Sequence, residues 1–354
     1  PKRVFSLAKR SMDYLGKRAK DKKPFFMMIS HYALHVRNES LASTRRKYLN
    51  LVAERAGIDE VIPDISRFDA NAQDMPAKFR SHWERANYAA MMEDMDASIG
   101  MVLDKLKELE LAENTYVIFS SDNGGGASNA PLQGGKARMW EGGIRVPMIV
   151  AGPDVPVDSQ CDLPVAQWDY LTTMHDLSGS RQPLPENLDG ISLRPVLEKG
   201  NQGKLAKRDT GLVFHFPAHY TIPVTSYRDG DYKLMRHLNS GELRLFDVAR
   251  DMGETKDLSK SMPDKVNAMS EKLDAYLEKV GAWTMKEVYD TRLDELNGWI
   301  ARKKEEIAEC ERHLQDKPED KALLARRAKL RETIRKYLRT VEEVAENRRS
   351  TNWL

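Results

Sequence analysis

Residues 115–126 read Thr115-Tyr116-Val117-Ile118-Phe119-Ser120-Ser121-Asp122-Asn123-Gly124-Gly125-Gly126. The β-branched and aromatic run predicts a short buried strand. The acid, amide and glycines that follow predict a sharp loop at its carboxyl end. Upstream, Tyr88, Met91, Met92, Met95, Ile99, Val102, Leu103, Leu106 and Leu109 recur at helical spacing, which predicts an amphipathic helix. Earlier still, Phe25-Phe26-Met27-Met28-Ile29-Ser30 predicts a strand covered on both faces. Strand, helix and strand in that order predict a right-handed parallel crossover, and so an α/β fold with a mixed, mainly parallel sheet flanked by helices. Ligand sites of such sheets lie beyond the carboxyl ends of the strands. His31, His35 and Asp122–Gly126 therefore stand where chemistry is expected.

Further along, Pro147–Ala151 predicts another buried strand. From Gly211 the texture changes to short strands at Leu212–His215, Val224–Arg228, Tyr232–Arg236 and Leu243–Asp247. The turns between them, Asp229-Gly230 and Asn239-Ser240-Gly241, predict a small antiparallel sheet, with a helix near 263–280 to cover it. In the tail, Leu293, Leu296, Ile300, Lys303, Ile307, Cys310 and Leu314 keep a three-to-four spacing. After Asp316-Lys317-Pro318, Leu323, Arg327, Leu330, Ile334, Tyr337, Val341 and Val344 repeat it, which predicts an antiparallel helical hairpin. The expected domains are 1–204, 205–284 and 285–354. The hairpin's role stays open between a lid, a packing brace and an oligomer contact.

Across 354 residues, 56 Lys and Arg stand against 54 Asp and Glu, a net charge of +2. That balance excludes bulk attraction to nucleic acid or to an anionic membrane. No apolar run approaches the roughly 20 residues of a spanning helix. Cys161 and Cys310 are too few and too far apart for a disulfide framework or a zinc site.

Asp122 and Asn123 supply two hard oxygen donors, as a calcium or magnesium site would begin, although the same residues also serve ordinary turns. Calcium takes about 6–8 oxygens, so two ligands are a start only. Residues 131–147 hold Gly134, Gly135, Gly142 and Gly143 together with Lys136, Arg138 and Arg145. This loop reads either as an anion site, with Lys136 as a point charge between glycines, or as a solvated basic loop. A Walker loop is excluded by Ala130 and Ala137, and Gly-x-Gly-x-x-Gly fails at Asn129. His31 and His35 serve either as proton donors and anion ligands or as loop residues.

In order, these segments resemble the sulfatase family of the alkaline-phosphatase-like superfamily. The resemblance rests on Phe25-Phe26 through His35, on Tyr88–Met91 with Asp96, Ile99-Gly100 and Leu103-Asp104, and on Ser121-Asp122-Asn123-Gly124-Gly125. It continues through Gly134-Gly135-Lys136, Glu141-Gly142-Gly143-Ile144-Arg145-Val146-Pro147 and Leu188-Asp189-Gly190-Ile191-Ser192-Leu193. Tyr227–Leu234, Leu245-Phe246-Asp247-Val248, Gly253-Glu254 and Asp257-Leu258 complete it, over roughly residues 20–260.

The resemblance implies that Asp122 and Asn123 ligate a divalent ion, usually calcium. It also implies that Lys136 and His35 are catalytic and contact the sulfate, that His215 lines the pocket, and that Glu141 and Arg145 hold the loop. The implied activity is removal of sulfate from a small aryl ester or a sulfated glycan by a periplasmic or secreted enzyme, with no nucleic-acid partner. Attack in such enzymes comes from a hydrated formylglycine made within Cys/Ser-x-Pro-x-Arg. Here Cys161 is followed by Asp162-Leu163-Pro164-Val165, with Pro one place late and no Arg, and no Ser heads such a run. The nucleophile and the paired aspartates are therefore expected upstream of Pro1, in an amino-terminal part of which this chain is the continuation. A phosphate- or phosphonate-ester hydrolase and a non-catalytic sulfated-glycan-binding relative are the alternatives.

Overall fold

The basic run at the start of the chain forms α1 (Val4–Asp21), whose Val4, Ala8, Ser11 and Leu15 recur at helical spacing and are buried. The computed structural model describes residues 3–35, 39–64, 76–126, 128–208, 210–218 and 221–351. The chain divides into two compact units, one of residues 1–117 with 150–154, the other of 118–149 with 155–354.

In the first unit α1 is followed by α2 (Ala42–Ala56) and α3 (Ala77–Glu108). Ala8 and Leu15 of α1 meet Val102 and Leu106 of α3, and Phe25, Met27 and Ile29 pack on them. The strand expected at Phe25–Ser30 is not formed among the described residues. Its odd-numbered side chains pack inward, whereas Phe26 and Met28 are 67% and 77% exposed. The segment is extended and covered on one side, so its continuous apolar run was misleading about the second. Helix α2 was hidden by its polarity, since Leu49 is its one fully buried apolar residue. It is held by Asp94 of α3, which accepts from Leu41 N at 2.6 Å and Thr44 Oγ1 at 2.8 Å.

The run at 115–120 forms β1 (Val117–Ser120). It is followed by the single turn α4 (Glu141–Ile144) and by β2 (Met148–Ala151), which pairs with β1 in a two-stranded sheet.

In the second unit, the short helices α5 (Asp169–Leu177) and α6 (Arg194–Lys199) precede β3 (Leu212–Phe216), β4 (Val224–Asp229), β5 (Tyr232–His237) and β6 (Leu243–Asp247). These four strands form the expected antiparallel sheet, and their order in it is sequential. The register places Tyr227 opposite Leu234 and Leu234 opposite Leu245. This row packs on Val266, Met269 and Leu273 of α7 (Pro263–Lys279). On the other face Val224, Met235 and Phe246 pack with Val248, Met139 and Trp140. The sheet is thus a wall with a helix on one side and the 139–140 segment on the other.

The tail forms the expected hairpin, α8 (Met285–Asp316) and α9 (Lys321–Ser350). Thr284 and Glu287 build a reciprocal capping box at the start of α8, and Asp320 caps α9 by accepting from Ala322 N and Leu323 N. Leu296 and Val344 bury their side chains with Leu238, Met285, Val288 and Tyr289, so the hairpin base is rooted at the end of β5. No helix among the described residues is long and apolar enough to cross a membrane.

Leu296 is fully buried at that root. Leu296→Ala is expected to cost about 2–5 kcal/mol, read as a fall in the urea midpoint at unchanged slope. A loss below about 1 kcal/mol would show that the hairpin is not packed as described.

Candidate functional site

The loop after β1 is built from backbone running against backbone. Gly124 N donates to Gly143 O at 2.9 Å, Lys136 N to Gly125 O at 3.0 Å, and Gly142 N to Gln133 O at 2.8 Å. Asn129 Nδ2 bridges Gly125 O and Gly134 O at 3.0 and 3.1 Å. The approach is so close that a Cβ on Gly124 would lie 1.9 Å from Gly142 O, and one on Gly143 would lie 2.0 Å from Arg138 O. These positions need glycine because another backbone occupies the space of a side chain. The expected metal segment 122–125 and the expected anion segment 134–143 are therefore brought together.

Within this frame Asp122 is exposed, and its Oδ1 accepts from Asn123 N at 3.0 Å. Ser121 Oγ donates to Asn123 O at 3.0 Å, and Gln167 Nε2 donates to Ser121 O. Lys136 is exposed. The donor chemistry of Asp122 and Asn123 suits a hard divalent cation, and it supplies two of the oxygens such an ion requires. Among the described residues no group of three or more His, Cys, Asp or Glu side chains gathers as a metal site.

The loop is anchored from below by three buried charges. Glu141, Lys233 and Glu254 are 3%, 0% and 2% exposed. Lys233 Nζ lies 3.0 Å from Glu141 Oε1 and 2.7 Å from Glu254 Oε1. Glu254 Oε2 also accepts from Glu141 N at 2.7 Å. Gln133 Nε2 reaches Gly253 O at 2.8 Å and Glu254 O at 2.7 Å, so both ends of the 133–141 loop are tied to the 253–254 turn. Arg145 approaches Glu141 Oε2 at 3.6 Å from a half-exposed position. Burial pushes the Glu254 carboxyl above its ordinary value, and the adjacent Lys233 opposes that rise.

Glu141 and Arg145 hold the loop as the sequence implied, but Lys233 and Glu254 were missed as parts of the site. The available signal was a lysine set between Tyr232 and Leu234 in a short apolar strand. A charge in that setting needs a buried partner.

His215 is engaged within the chain. Its Nδ1 lies 2.7 Å from Thr225 Oγ1 and its Nε2 lies 2.8 Å from Trp283 O. Both ring nitrogens are engaged by the chain itself, and the ring braces β3 and β4 against the residue before the α8 cap. Burial pushes its pKa down, against a smaller upward pull from the Trp283 carbonyl. His35 belongs to the other compact unit, where its backbone N–H donates to Tyr32 O at 3.4 Å. His31, beside it, has a pKa lowered by burial.

Comparison with known proteins decides the family. The Sulfatase family model matches residues 6–180, and the model for the C-terminal region of N-sulphoglucosamine sulphohydrolase matches residues 135–282. The chain belongs to the sulfatase family. A sulfatase of Formosa agariphila is 30% identical over 305 residues, covering 77% of this chain and 49% of that protein. The steryl-sulfatase of Homo sapiens is 39% identical over 144 residues, covering 36% and 24% respectively. The chain thus spans about half or less of the length of these relatives.

Two solved structures share the fold. Ps i-CgsB has a TM-score of 0.61 at 23% identity, covering 80% of this chain and 56% of that one. The yidJ protein of Bacteroides fragilis has a TM-score of 0.59 at 24% identity, covering 78% and 59%. The alkaline-phosphatase-like α/β class expected from the sequence is therefore the fold of this sulfatase-family chain, with an antiparallel C-terminal sheet and a helical hairpin.

Two predictions follow from the anchor and the brace. Lys233→Met leaves two carboxylates facing each other in the interior and is expected to cost about 3–5 kcal/mol, with Lys233→Met/Glu254→Gln recovering part of the loss. Denaturant midpoints check this, and a single variant within 0.5 kcal/mol of the parent (roughly the noise of surface substitutions) contradicts it. For His215, the folded pKa lies below the unfolded one. Its contribution is full above about pH 6.5 and is lost as pH falls from there through the lowered folded value. His215→Gln should therefore show a flatter fall in thermal midpoint from pH 7 to 5 than the parent, and parallel curves would contradict the brace.

Proposed function

We propose that this sulfatase-family chain carries part of the active site of a sulfuric-ester hydrolase that acts on a sulfated glycan or an aryl sulfate. The observation that carries the reading is the stitching of the Asp122–Asn123 segment to the Lys136 segment by Gly124 N to Gly143 O and Lys136 N to Gly125 O. It fixes an acid, an amide and a lysine along one glycine-lined loop at the end of β1.

In this reading Lys136 presents a mobile ammonium at the end of a rigid backbone. It attracts the sulfuryl oxygens and offsets charge that develops on the departing alcohol oxygen. Asp122 and Asn123 would hold a divalent ion, calcium by family resemblance, which when bound supplies Lewis-acid charge for the sulfuryl oxygens. His35 is proposed as the second sulfate contact and proton donor to the leaving oxygen. Glu141 stays below the loop and does not reach substrate, because its carboxylate is consumed by Lys233 and Arg145. Residues 1–354 hold no Cys/Ser-x-Pro-x-Arg run, and a periplasmic or secreted setting belongs to the proposal by family resemblance. The choice between glycan and aryl ester rests on the relatives' names, which include an N-acetylgalactosamine-6-sulfatase of Sus scrofa, 31% identical over 159 residues.

The test uses protein expressed from the complete reading frame. Calcium-dependent sulfate release from nitrophenyl sulfate is expected, falling about 10²–10³-fold in kcat for Lys136→Ala, with Asp122→Ala raising the calcium requirement. Faster turnover of nitrophenyl phosphate would point to the phosphoesterase alternative. Absence of turnover with both esters would contradict the assignment.

A further inference from the structure

The helical hairpin begins beyond residue 282, where the second family match ends, and its charge is sorted by helix. Between Lys321 and Arg339 the first turns of α9 hold eight Lys and Arg against one acid, Glu332. A chain with 56 basic and 54 acidic residues does not reach that ratio through its composition. Nor does solubility require it, because solubility is served by interspersed signs.

The apolar seam of α9 packs inside the hairpin. Leu330 and Val344 are buried, and Tyr337 and Val341 are partly covered. The cations therefore face outward, and Lys321, Lys329, Arg335, Lys336 and Arg339 are all exposed. Acids of α8 neutralise two neighbouring arginines, with Glu311 lying 2.8 Å from Arg331 and Glu306 lying 3.9 Å from Arg326. The outward strip has Glu332 alone. Lys336 Nζ sits 2.8 Å from it, and Lys336, Arg335 and Arg339 together hold its carboxyl below the ordinary range. Three cations thus act on one carboxylate, and among the described residues Lys321, Lys329, Arg335 and Arg339 form no ion pair.

We infer that the solvent face of α9 is a docking strip for a sulfated polysaccharide, which it would hold while the site described above works on the polymer's esters. This rests on the sulfatase reading for the identity of the polyanion, and the charge itself does not. From Lys321 to Arg339 the strip runs about 27 Å, long enough for several sugar units and too long for a single sulfate. Arginine forks suit tetrahedral oxyanions, and release of counterions from a densely charged polymer gives affinity without a pocket. Single-stranded nucleic acid is disfavoured because such binders stack bases on aromatic rings. The aromatic residue of this segment, Tyr337, is engaged with Trp299 at 5.6 Å.

The test measures binding of the full protein to fluorescent dextran sulfate, and to a DNA duplex, in 50–200 mM salt. Arg335→Ala/Lys336→Ala/Arg339→Ala removes exposed side chains, and an unchanged circular-dichroism melt confirms that it folds. The triple variant is expected to bind dextran sulfate about 10–100-fold more weakly at low salt, with the slope of log K against log salt reduced by about 2–3. Release of sulfate from nitrophenyl sulfate by the triple variant should stay within about two-fold of the parent, so a failed active-site assignment and a failed docking strip give different results. Unchanged affinity in the triple variant, or tighter binding to duplex DNA than to dextran sulfate, would overturn the proposal.

Discussion

A lysine with no exposed surface, held between two buried carboxylates, is the constraint on which the rest of the second unit turns. Lys233 lies on β5, Glu141 opens α4, and Glu254 follows β6 in the 253–254 turn. Desolvating any of the three alone costs several kcal/mol, so they are tolerated only as a set. The set fixes where the C-terminal sheet sits beneath the loop that bears Lys136. The sheet is therefore a foundation for that loop as well as a small core of its own. Val224, Met235 and Phe246 add apolar contact with Met139 and Trp140 on the same side.

Above this foundation the loop is held by main-chain hydrogen bonds between glycine-rich segments. This holds the backbone at Lys136 in place while its side chain stays exposed. Asp122 and Asn123 ride on the same frame, so in the proposed function one backbone would present both the metal ligands and the anion-binding lysine. His215 contributes differently, as a ring clasped between Thr225 and Trp283 that ties the sheet to the root of the hairpin.

Much of this was legible in the residues. The four C-terminal strands, α7 and the hairpin follow from alternation, turn dipeptides and helical spacing. The glycines beside an acid and a lysine marked 122–125 and 134–143 as candidate ligand segments, but not the main-chain hydrogen bonds that bring them together. What was hidden has physical reasons. The run at Phe25–Ser30 is apolar throughout, and composition cannot tell one covered face from two. Helix α2 carries little apolar signal because Asp94 on α3 holds its first turn. Lys233 and Glu254 lie 21 residues apart and meet only through the sheet's register, which no local pattern encodes. His215 looked available for ligand because its two partners are a hydroxyl ten residues on and a carbonyl 68 residues away.

The central claim is that buried charge beneath the loop sets the geometry above it. Residue-resolved amide hydrogen exchange of the parent protein and Lys233→Met tests this directly. The account predicts that the Gly124, Lys136, Gly142 and Gly143 amides lose protection by a larger factor than the amides of α8 and α9. Equal protection of those four amides in the two proteins, or a loss spread uniformly over the unit, would contradict it.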